Sequence, residues 1–107
     1  HSVQGLDLIG HSHGANAMML ASHMGLRAGK LILLSCPVRI DQYFPNFSAV
    51  DRVISIRVKH DLVIMADRAG QEFNHPRIAE HILPIWFNHS ATHDPKVWKQ
   101  HGIPAFI

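Results

Sequence analysis

Leu6-Asp7-Leu8-Ile9-Gly10-His11-Ser12-His13-Gly14-Ala15-Asn16-Ala17-Met18-Met19-Leu20-Ala21 is the stretch that decides the fold. Leu6 to Ile9 is a short apolar run that stops at Gly10, and Gly14 to Ala21 is rich in small residues and good helix formers. The pattern predicts a strand, a sharp turn and a helix. Glycine tolerates the left-handed backbone that follows a last helical turn, so the helix should stop near Gly25. Ala17, Leu20, Ala21 and Met24 would share its buried face, and Met18, Met19 and Met24 read as helix core rather than as a lipid-binding stripe.

Working outward, a turn at Gly29-Lys30 is expected to lead into Leu31-Ile32-Leu33-Leu34, uninterrupted hydrophobic sequence typical of a strand covered on both faces. Val53 to Val58 is enriched in β-branched residues and reads as a third strand. Between them, Pro37 to Asp51 reads as a loop or short helix. Its Tyr43, Phe44 and Phe47 either wall an apolar ligand or pack over the edge of the core. A brief helix beginning at Pro76 and a fourth strand from Ile82 to Phe87 follow, and Pro84 places that strand at an edge. Asp94 before Pro95 starts a last helix, with Val97 and Trp98 facing inward and Gly102 as the stop. Strands alternating with helical segments give an α/β class: a mostly parallel sheet of about four strands with flanking helices, in one domain over residues 1–107.

Composition narrows the function classes. The chain has 107 residues, 47% hydrophobic and 17% charged, which is the composition of a globular domain. Its formal charge of +2 is small, and Lys and Arg never cluster, so no nucleic-acid surface is expected. No apolar run is long enough for a transmembrane segment, and the chain reads as soluble. Cys36 is the single cysteine, which excludes an internal disulfide and leaves the compartment open.

Gly10-His11-Ser12-His13-Gly14 fits the Gly-x-Ser-x-Gly pattern in which a serine is held on a strained turn with its hydroxyl above the sheet. Strand and helix approach closely there, so the residues two before and two after the serine should be small, as Gly10 and Gly14 are. The helix that follows turns its amides and positive dipole end toward the site, and the His13 backbone amide is the candidate oxyanion donor. A serine needs an imidazole to take its proton, and the imidazole needs a carboxylate to fix its tautomer. Asp61, just past the third strand, is the candidate acid, with Asp67 as its rival; Asp41 and Asp51 precede the strand. Phe87-Asn88-His89-Ser90-Ala91-Thr92-His93-Asp94 offers two bases. His89 leaves loop on both sides, whereas the ring of His93 stands beside a helix start.

These residues resemble the α/β-hydrolase superfamily of serine esterases and lipases. The resemblance rests on Leu6 to Gly14 as the elbow, the strand Leu31 to Leu34, the acid turn Lys59-His60-Asp61-Leu62-Val63 and the loop Asn88-His89-Ser90, in that family's order. It implies the C-terminal half of the fold and a carboxylic-ester hydrolase with Ser12 as nucleophile and no cofactor. The substrate would be a small-molecule or lipid ester. The family also has about four strands and a second oxyanion loop ahead of the elbow. Their absence here implies the C-terminal half of a longer hydrolase, a partner chain or second copy that completes the sheet, or a reduced member. A non-catalytic binding or assembly module is the alternative. Ten histidines raise a further reading, a zinc site built from His11, His13, His23 or the His89 and His93 pair.

Overall fold

The computed structural model describes residues 6–66 and 70–107. Strands β1 (Leu8–His11), β2 (Ala28–Leu34), β3 (Val50–Lys59) and β4 (Ile78–Trp86) form one sheet in that spatial order, and every pairing is parallel. The α/β class expected from the sequence is therefore observed. Helix α1 (His13–Ser22) follows β1, α2 (Leu62–Ala66) follows β3, and α3 (Pro95–Gln100) lies between two 3-10 turns near the end of the chain.

Period-two alternation divides the sheet between two cores. Leu31, Leu33 and Val53 meet Ala15 and Met19 of α1 on one face, and Ile32, Leu34, Ile54 and Ile56 meet Leu83 and Ile103 on the other. Val97 and Trp98 pack against the second cluster, as their inward placement on α3 predicts. Asp94 caps that helix by accepting from the Lys96 amide at 2.9 Å, and Gly102 ends it in the left-handed region. Tyr43, Phe44 and Phe47 pack against the first core, so the loop between β2 and β3 closes that core.

Several expectations are corrected. Gly29 and Lys30 lie inside β2, because Gly29 donates to the Leu6 carbonyl and Lys30 pairs with Arg52, and sheet bonding on both sides outweighs glycine's turn preference. The buried face of α1 is Ala15, Asn16, Met19 and Ser22, not Ala17, Leu20, Ala21 and Met24; Met24 is 78% exposed. Polar anchors set that rotation. Asn16 donates to the Pro37 carbonyl, and Ser22 accepts from the Asn46 amide and donates to the Met19 carbonyl. A turn rather than a helix follows Pro76, and β4 begins at Ile78, four residues before its expected start at Ile82. Finally, Asp51 lies within β3, not ahead of it.

Pro84 does lie in an edge strand. The pairing shifts there from Val58 with Leu83 to Lys59 with Trp86, which accommodates a residue that has no N–H. The other edge is β1, where Ile9 is 54% exposed.

Gly10 is required by packing. A Cβ on it would sit 2.9 Å from the Ala15 nitrogen, the Gly14 carbonyl carbon and the Met18 methyl group. Two of these are backbone atoms and cannot step aside. Gly14 is a correction to the motif reading, since a Cβ there meets nothing within 4 Å. Thermal melts should separate the two glycines: Gly10→Ala is expected to destabilise by about 1–3 kcal/mol. Gly14→Ala, a helical position in open space, should stabilise by up to about 1 kcal/mol.

Candidate active site

Each strand ends at the carboxyl edge of the sheet in a non-glycine residue with positive φ. These are Ser12 (57°) after β1, Ser35 (49°) after β2, His60 (47°) after β3 and Phe87 (66°) after β4. Such backbone is unfavourable for residues with a Cβ and persists only where the surroundings hold it. The ladder supplies that hold. Ser12 N–H donates to Leu34 O at 2.7 Å, Ser35 N–H to Ile56 O at 2.9 Å and Phe87 N–H to Lys59 O at 2.8 Å. Strain is thus gathered at the edge where parallel sheets place their functional loops.

Ser12 has φ 57° and ψ −126°, and α1 starts at the next residue. Its Oγ lies 2.9 Å from His89 Nε2, and His89 Nδ1 lies 2.5 Å from Asp61 Oδ2. Three residues far apart in sequence therefore form one continuous line of hydrogen bonds. Asp61 is fully buried, and its other oxygen accepts from the Val63 and Ile64 amides at 3.0 and 3.1 Å, capping α2. Gln71 fixes the Asp61 backbone: its Oε1 accepts from the Asp61 amide and its Nε2 donates to the Asp61 carbonyl.

The loop carrying His89 is anchored separately. The His89 carbonyl accepts from Ser35 Oγ at 2.8 Å and from His11 Nε2 at 3.0 Å, and Thr92 Oγ1 lies 2.6 Å from Ser35 Oγ. Burial is the main cause that lowers the His11 pKa below the ordinary imidazole value, and the neighbouring His89 and His93 rings act in the same direction. His11 is accordingly neutral near pH 7.

Comparison with protein-family models, curated proteins and solved structures finds no match.

Of the two candidate bases, the structure brings His89 to Ser12 and Asp61. The ring of His93 lies edge-on against His11 instead, with centroids 4.4 Å apart. Asp67 lies outside the described residues, and Asp41 and Asp51 are exposed away from this cluster. His13 opens α1 and lines a cleft of about 440 Å³ with Leu62, Val63 and Ala66. His23 bonds the Phe44 carbonyl. Among the described residues no group of three or more His, Cys, Asp or Glu is placed to hold a metal ion, and no helix is long and apolar enough to cross a membrane.

Sequence reasoning missed Ser35, Thr92 and Gln71. The signal for Ser35 was its place immediately after the Leu31 to Leu34 run, at the same sheet edge as Ser12. Thr92 and Gln71 act through side-chain bonds that no local pattern announces.

Burial pushes the Cys36 thiol up to about 12, so thiolate is scarce at neutral pH. Its sulfur also meets Asn16 Oδ1 at 3.2 Å beneath the site. Alkylation followed by mass spectrometry should find Cys36 unmodified in native protein and fully modified after denaturation.

Proposed function

We propose that this chain carries the active site of a serine hydrolase of the α/β-hydrolase type, acting on carboxylic esters through an acyl-enzyme. The observation that carries this reading is the line Ser12 Oγ, His89 Nε2, His89 Nδ1, Asp61 Oδ2, at 2.9 and 2.5 Å, on a serine held at positive φ. In this mechanism His89 takes the Ser12 proton as Oγ bonds to the ester carbonyl carbon, and the carbonyl electrons move to oxygen. Asp61 keeps the His89 proton on Nδ1, so that Nε2 is free to accept, and stabilises the imidazolium that forms. The tetrahedral intermediate then collapses, and the alkoxide leaves with the proton that His89 carries. Water, deprotonated by the same imidazole, releases the acid and returns the proton to Ser12.

The His13 amide at the start of α1 supplies one oxyanion donor. A second would come from a partner chain or second copy that completes the sheet at β1, the edge where Ile9 is exposed. That same edge supports the alternative, an assembly module of this half-fold without turnover.

A phosphonate probe separates the two readings. Hydrolysis of an activated short-chain ester together with a phosphonate adduct on the Ser12 peptide is the expected result. A folded chain that gives neither, alone or after an N-terminal half is added, would overturn the hydrolase reading.

A further inference from the structure

We infer that His11 is a positioning residue: by donating a hydrogen bond to the backbone carbonyl of His89, it sets the distance between that imidazole and the Ser12 hydroxyl. The inference rests on the hydrolase reading for its catalytic consequence, but the structural coupling has its own readout.

Three links close a ring around the reacting atoms. His11 is bonded covalently to Ser12, its Nε2 meets the His89 carbonyl at 3.0 Å, and the His89 ring returns to Ser12 Oγ at 2.9 Å. The end of β1 therefore holds the hydroxyl and the main chain of its proton acceptor together. A carbonyl only accepts, so Nε2 of His11 carries the hydrogen. Rotation of the His11 ring is opposed on two sides, by His93 edge-on at 4.4 Å and 86° and by His89 at 4.9 Å and 61°. Ser35 Oγ is a second donor to the same carbonyl at 2.8 Å, so the His89 main chain is clamped from β1 and from the end of β2.

This clamp is needed because of where His89 sits. Phe87, at positive φ, turns the chain sharply out of β4, and Asn88 and Ser90, which flank His89, are exposed. A loop with few apolar contacts opens readily unless hydrogen bonds tie it down. A base displaced by a fraction of an ångström still binds substrate but transfers its proton less well. The expected signature is thus a loss in kcat rather than in KM.

The test compares two substitutions in the full chain. His11→Phe keeps an aromatic edge against His93 but removes the donor, and His11→Gln restores an N–H close to the Nε2 position. With an activated acetate ester, His11→Phe should lower kcat by about tenfold or more with KM within about twofold, and His11→Gln should recover to within about threefold of wild type. A readout independent of turnover is the far-downfield NMR proton expected from the 2.5 Å bond between His89 and Asp61. It should weaken or shift in His11→Phe and persist in His11→Gln. If His11→Phe does not fold, the smaller donor-free His11→Leu replaces it with the same expectations. Wild-type kcat and an unchanged downfield proton in the donor-free variant would overturn the positioning role. A wild-type chain without turnover would count against the hydrolase reading, and the NMR comparison would still decide whether His11 holds His89.

Discussion

Ser12→Ala is expected to abolish phosphonate capture and to lower turnover of an activated ester by about 10³–10⁴. The magnitude follows from two opposing numbers. Removing the serine of a complete triad costs about 10⁶ in kcat, whereas lacking one oxyanion donor already costs about 10²–10³. In the proposed mechanism the His13 amide is the one oxyanion donor, and on that basis the gap between wild type and background narrows by that second factor. Stability should behave differently. Ser12 is at φ 57°, and alanine inherits that strain because it keeps a Cβ, so Ser12→Ala should melt close to wild type. Ser12→Gly removes the Cβ and is expected to raise stability by about 1 kcal/mol while being equally inactive. A more stable, inactive glycine variant would mean that the strain at this bend serves the site and not the fold. Turnover of Ser12→Ala within about tenfold of wild type would exclude Ser12 as the nucleophile.

The elbow was legible in sequence because every requirement there is local. An apolar strand, a glycine at a close approach and a helix start fall on adjacent residues, and Gly10 is the position whose Cβ would strike backbone. The parallel sheet was legible for a similar reason: β2 carries a continuous apolar run, Leu31 to Leu34, and β3 is enriched in β-branched residues over Val53 to Val58, the stretch that is buried on both faces. The rotation of α1 was not, because Asn16 and Ser22 are buried for their hydrogen bonds and a hydrophobic pattern assigns polar residues to solvent. Arg57 is the same case on a strand. It is 1% exposed, held by Ser55 Oγ at 3.1 Å on its own strand and by Glu80 Oε2 at 3.1 Å, a partner that the pairing of β3 with β4 brings near. At the candidate site, chain order leads to Asp61, and the helix start beside His93 is the one local feature that favours His89 over it. That choice depends on the His89 carbonyl being anchored by His11 and Ser35, a contact across 78 and 54 residues of chain.

Asp61→Asn and Asp61→Ala should share a catalytic defect and differ in stability. The carboxylate performs two tasks at once, Oδ2 accepting from His89 Nδ1 and Oδ1 accepting from the amides of Val63 and Ile64. An amide has one accepting oxygen and cannot do both. If that oxygen caps α2, the NH₂ group faces His89, Nδ1 becomes the acceptor, and Nε2 carries the hydrogen. The imidazole then cannot take the Ser12 proton, a change of tautomer that costs about 10⁴ in kcat where it has been isolated. On the proposed single-donor mechanism, Asp61→Asn should fall to the Ser12→Ala background while keeping the cap and most of its stability. Asp61→Ala loses the cap as well, leaving two amides at the start of α2 without their acceptor. Such a loss costs about 1–2 kcal/mol. In a domain of this size each kcal/mol lowers Tm by about 4–8 °C. The decisive comparison is therefore one activity assay and two melting curves. If Asp61→Asn retains turnover within about tenfold of wild type, Asp61 orients no base, and its buried carboxylate is only the cap of a five-residue helix.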